Sequence, residues 1–117
     1  MIRTHKDLIV YQKSIDFVTL VYQITKQFPK EELYSLANQM RRAAISIPSN
    51  ISEGAARNHN KEFIQFLYIA LGSASEIETQ ILISYNLKYI SEEDFKVMDN
   101  LIIEIRKLIN GLIKSIK

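Results

Sequence analysis

The sequence has no cysteine and no tryptophan, and only three glycines and two prolines in 117 residues. Without cysteine it holds no disulfide, thiolate zinc site, iron–sulfur cluster or thiol nucleophile. So few turn formers cannot supply the frequent tight turns of an all-β chain. Charge of one sign is missing too: 15 basic and 13 acidic residues leave +2, too little for net charge alone to mark a partner. Apolar runs such as 67–71 and 101–103 fall far short of the ~20 residues that span a bilayer. Residues 1–6 carry charge but no apolar core followed by a small-residue cleavage site, so they are not a secretory signal. One domain over 1–117 with a cytoplasmic location, and no membrane as partner, is the expectation. Asn50-Ile51-Ser52 fits the glycosylation acceptor pattern and is read as a chance match, for want of a secretion signal.

What is present is helical periodicity. The segment 7–27 carries Leu8, Tyr11, Ile15, Val18 and Tyr22 on one row and Phe17, Val21, Ile24 and Phe28 on the row beside it. Pro29 ends it, because the residue before a proline is pushed out of the α region. A second helix, 31–56, starts with Glu31 and Glu32 at the positive end of its dipole. It carries Leu33, Leu36, Met40, Ala43, Ile47 and Ile51 on one face. Pro48 lies inside that register, where it removes one backbone hydrogen bond and is expected to kink the helix. A stop at Gly54, or a break into two helices at Pro48, are the other readings. A third helix, 61–88, with Asn60 as N-cap, repeats Phe63, Leu67, Ala70, Ala74, Ile77 and Ile81. The small residues around Gly72 suit a tight helix crossing. The fourth, 92–116, opens on Ser91 with an acid three positions later, a capping-box-like start, and repeats Phe95, Met98, Ile102, Ile105, Ile109, Leu112 and Ile116. Its Lys107, Lys114 and Lys117 favour the negative end of the dipole. Four amphipathic helices with short connections predict an all-α, antiparallel up-down-up-down four-helix bundle.

Helices three and four are also apolar off these seams, at Ile64, Tyr68, Leu71, Leu82 and Tyr85 and at Val97, Leu101, Ile103, Leu108 and Ile113. Apolar residues on two faces call for a second burial partner, so self-association is expected.

Catalytic chemistry finds little to work with. A di-iron bundle needs inward glutamates and Glu-x-x-His pairs, but the only histidines, His5 and His59, have no glutamate three residues before them. No nucleophile elbow or phosphate-cradling glycine loop is present. Glu76 and Glu78, two apart on a helix, diverge and cannot act as a carboxylate pair. Neither enzyme activity nor any metal or cofactor is expected. The basic residues of the second helix and the turn after it, Arg41, Arg42, Arg57 and Lys61, are candidate phosphate ligands, since the guanidinium fork donates two parallel hydrogen bonds. The competing reading consumes them in ion pairs: Glu53 precedes Arg57 by four, and Arg41 or Arg42 would reach acids on a neighbouring helix or subunit.

The stretch 39–54, with Arg41-Arg42-Ala43-Ala44 and Ser46-Ile47-Pro48-Ser49-Asn50-Ile51-Ser52-Glu53-Gly54, is more distinctive than periodicity demands. Together with 62–73, 76–80 and the opening Asp7-Leu8-Ile9-Val10-Tyr11-Gln12-Lys13, it resembles the four-helix bundle proteins encoded in intervening sequences of bacterial 23S ribosomal RNA genes, the S23-type family. It is also similar to the accessory variability protein of diversity-generating retroelements. The resemblance covers nearly the whole chain. It implies a small bacterial cytoplasmic bundle without enzymatic activity, assembled as a homopentamer, with a structural motif at Pro48, Asn50, Glu53, Gly54 and Gly72. It further implies contact with RNA or DNA through Arg41, Arg42, Arg57 and Lys61, and leaves room for an unidentified protein partner. Two functional expectations follow: a homo-oligomer that contacts nucleic-acid phosphates through helix two, or an assembly module whose arginines form subunit ion pairs.

Overall fold

The computed structural model describes residues 8–117. They form four helices, α1 (Ile9–Thr25), α2 (Leu36–Ala55), α3 (Asn60–Asn86) and α4 (Glu92–Ile116), with one 3-10 turn at Lys30–Glu32. No strand occurs among the described residues, and the fold is all-α. Asp7 and His5 lie outside the described residues.

Local chemistry explains the boundaries. α4 begins as the capping pattern requires, with the Ser91 hydroxyl accepting from the Asp94 backbone N–H at 3.0 Å. α3 ends in two hydrogen bonds, Lys88 N–H to the Tyr85 carbonyl and Tyr89 N–H to the Ser84 carbonyl, with Lys88 at φ 65. This is the Schellman closure, which favours glycine at the left-handed position. Its first residue is Asn60 and its N-cap is His59, which makes no side-chain cap, so Asn60 is not the cap expected of it. α1 is shorter than 7–27, because the chain tightens after Thr25 into turns in which Gln27 and Phe28 donate to Ile24 and Thr25. α2 does not start at 31. Glu31 and Glu32 lie in the 3-10 turn, Ser35 leaves helical geometry, and its hydroxyl bonds the Glu32 carboxylate at 2.6 Å, so the α-helix opens only at Leu36. From there it runs unbroken through Pro48, and the break into two helices does not form.

Neighbouring helices pair in opposite sense. Along α2 and α3, Gly54 meets Phe66 and Phe63, Ser46 meets Ser73 at 2.8 Å and Met40 meets Ser84 at 3.3 Å. Along α3 and α4 the pairs are Tyr68–Lys117, Glu78–Arg106 and Tyr85–Phe95. Each helix touches the next and α1 touches α4, with no diagonal helix contact among the described residues. Inside that ring Phe17, Val21, Met40, Ile47, Ile51, Leu67, Ile77, Ile81, Met98, Ile102, Ile105 and Ile109 are fully buried. Each such side chain contributes about 1.5–3 kcal/mol by leaving water. Of the two rows on α1, the one through Phe17, Val21 and Ile24 is buried. The row through Tyr11, Ile15, Val18 and Tyr22 stays on the flank. None of the described helices is long and apolar enough to cross a membrane.

Candidate functional site

Between α1 and α2 a strip of apolar surface stays uncovered. Tyr11, Ile15, Val18, Ile45, Pro48, Ser49, Ser52, Glu53 and Ala56 line an open groove of about 470 Å³. Ile15, Ile45 and the neighbouring Tyr22 keep 39%, 40% and 36% of their surface in solvent. The sequence expectation put the surplus on helices three and four, and part of it is there as well. There Ile113 is buried, and Leu71, Tyr85, Leu101 and Leu108 pack against the core margin. Tyr68, Leu82 and Val97 remain exposed, and so do Ile69 and Ile83 of α3.

The four predicted phosphate ligands do not form one cluster. Arg41 and Arg57 are sixteen residues apart, about 24 Å along a helix at 1.5 Å per residue, and so lie at opposite ends of α2. Arg41 turns to the C-terminal end of α1. Its Nε donates to Thr25 Oγ1 at 2.9 Å and its guanidinium lies 4.7 Å from the centroid of the Tyr22 ring. Thr25 is itself fixed by donating to the Val21 carbonyl at 2.7 Å. A cation there also suits the negative end of the α1 dipole. Arg42 faces the other way, into a polar depression between α2 and α3 shared with Gln39, Ser46, Ser73 and Glu76. Arg57 is paired with Glu53 at 3.7 Å and Glu62 at 3.9 Å and lies over the Phe66 ring at 5.2 Å. Lys61 is exposed in the first turn of α3. Thus Arg57 and Lys61 share the α2–α3 turn, while Arg41 and Arg42 are separated from them and from each other.

The residues around Pro48 have structural work. Proline offers no N–H to the Ala44 carbonyl one turn before it. One turn along, Asn50 Nδ2 donates to the Ser46 carbonyl at 2.8 Å and to Ser46 Oγ at 2.9 Å, and Ser46 receives the Ser73 hydroxyl from α3. The Ser-Ile-Pro-Ser-Asn segment thereby joins a proline-bearing turn of α2 to α3. Gly54 permits the close crossing: a Cβ there would meet Phe66 Cβ at 2.7 Å and Phe63 Cδ1 at 2.9 Å. Gly72, expected at a tight crossing, has nothing within 4 Å of the same position because it lies on the outer row of α3. Among the described residues no group of three histidine, aspartate or glutamate side chains is placed to hold a metal ion.

Residues 6–111 match the family model of the 23S rRNA-intervening sequence protein. Among curated proteins no match is found. A crystal structure from Bacteroides thetaiotaomicron, of a protein with unknown function from the S23 ribosomal protein family, superposes with a TM-score of 0.84 at 30% identity. The alignment covers 91% of this chain and 96% of that one. With four helices, the Pro48–Asn50 segment and a family match over nearly its whole length, the chain belongs to the 23S rRNA-intervening sequence protein family.

Proposed function

We propose that this protein is a non-catalytic module that self-assembles through its α1–α2 flank. The observation that carries the reading is the half-exposed row of Ile15, Tyr22 and Ile45 beside Pro48, apolar surface arranged as a strip rather than scattered singly. The resemblance points to a ring of five copies. Against catalysis, neither the α1–α2 groove nor the α2–α3 depression holds a histidine, and the carboxylate in the groove, Glu53, is committed to Arg57. The assembly reading is also favoured over phosphate binding by helix two as a whole. Arg57 is engaged within the chain by two carboxylates, and Arg41 lies at the opposite end of α2 from it.

Sedimentation velocity at micromolar concentration tests this. The expected result is a closed oligomer that Ile15→Glu together with Ile45→Glu converts to monomer, with helical circular dichroism retained. A monomeric parent protein overturns the reading.

A further inference from the structure

Three lysines at the end of the bundle where α3 begins and α4 ends have no carboxylate partner. Lys61, Lys114 and Lys117 are all exposed, and none pairs with a carboxylate among the described residues. The ion pairs engage Lys13, Arg57, Lys96 and Arg106 instead. Lys114 lies three residues before Lys117, a spacing that puts the two on neighbouring positions of one side of α4. On α3, Lys61 and Tyr68 are seven apart. The two rows meet where Lys117 Nζ approaches the Tyr68 hydroxyl at 3.3 Å, with its charge 5.8 Å from the ring centroid.

Tyr68 makes this more than a charged face. Its side chain is 48% exposed, and one turn further on Gly72 leaves open space where a side chain would stand. An aromatic ring with a clear floor beside it, framed by unpaired lysines, combines the two elements that hold a single strand: cations along the backbone and a platform for a base. A duplex keeps its base faces stacked inside and could use only the charges. An anionic surface without rings would gain little from Tyr68.

We propose that the α3–α4 flank at this end is a binding strip for single-stranded nucleic acid, with Lys61, Lys114 and Lys117 on phosphates and Tyr68 beneath a base. It goes beyond the assembly reading and does not rest on it, since α1 and α2 form the opposite flank. Of the four residues expected to bind phosphate, only Lys61 belongs to the strip.

Fluorescence anisotropy with short labelled oligouridylate and oligothymidylate tests it. The intact protein is expected to bind with a log–log salt slope of about −2, as three phosphate contacts on a single strand imply. Lys114→Glu with Lys117→Glu lowers affinity at least about tenfold and flattens that slope. Tyr68→Ala lowers affinity about fivefold or more without changing the slope. A ribose or deoxyribose preference assigns the strand type. No binding at about 50 mM salt overturns the proposal. So does binding indifferent to Tyr68→Ala and matched by heparin or phosphatidylserine vesicles, or an equal loss on Arg41→Ala with Arg42→Ala. Circular dichroism and sedimentation of each variant separate loss of the strip from loss of fold or of assembly.

Discussion

Two glycines show how differently one residue type behaves on the two sides of a helix. Gly54 is buried against α3, and its missing side chain is what lets Phe66 and Phe63 approach. Gly54→Ala adds helix propensity worth up to about 1 kcal/mol, but its methyl would stand 2.7 Å from Phe66 Cβ, an atom fixed to the backbone. Overpacking of that kind costs about 1–3 kcal/mol, so the substitution is expected to lower stability in urea unfolding. Gly72→Ala meets no neighbour, so only the propensity gain of about 0.5–1 kcal/mol remains and the midpoint should rise. Opposite signs for one chemical change are the check. Both glycines were visible in the sequence, but helical period does not say which one a neighbouring helix presses against, and the tight crossing was expected at Gly72. The arginines repeat the lesson. Their spacing located them on α2, whereas the partner of Arg41 is a threonine sixteen residues earlier, a contact that exists only once α1 and α2 are packed.

At the scale of elements, the helices were more legible than their connections. α4 was readable to its ends because serine cap, acidic first turn and apolar repeat agree. The start of α2 was not, because Glu32 is held by a residue far along the chain. Tyr89 in the α3–α4 connection donates its hydroxyl to Glu32 at 3.0 Å, and its ring packs on Phe28 at 5.4 Å between centroids. The connections 26–35 and 87–91 are thereby tied together at one end of the bundle. Hydrogen bonds from Ser35 and then Tyr89 hold the Glu32 carboxyl below its ordinary pKa, and donating to Glu32 pushes the Tyr89 phenol up. The signs follow from linkage. A depressed carboxyl contributes stability that is present above its unfolded pKa and is lost as pH falls through the lower, folded one. The raised phenol contributes stability that is present below its unfolded pKa and lost as pH climbs through the folded value. Chemical denaturation across the acid range is therefore expected to show a decline below about pH 4.5, part of which Glu32→Gln and Tyr89→Phe each remove. Equal acid slopes in the parent and both variants would exclude the tie.

For the whole molecule the order of helices around the ring decides what each flank offers. α1 and α2 lie side by side, α3 and α4 opposite them, so the apolar groove and the lysine strip face away from each other. Net charge gave no hint of this: a balance of +2 conceals three lysines without carboxylate partners at one end of one flank. Nor did periodicity, which counts apolar rows on each helix without saying which row lies under a neighbour. If subunits join through α1 and α2, every copy turns its lysine strip outward, and an assembly carries as many strips as subunits. A strand long enough to reach a second strip then binds it intramolecularly, at an effective concentration far above that of free protein, whereas a short strand engages one strip whatever the assembly. Comparing the parent protein with the Ile15→Glu, Ile45→Glu variant therefore separates the two flanks. Short oligonucleotides should bind both with equal affinity, and long ones should bind the assembled parent about a hundredfold more tightly. A strand-length effect that survives in the monomeric variant would mean that its source is a longer contact within one subunit, not repetition of the strip around a ring.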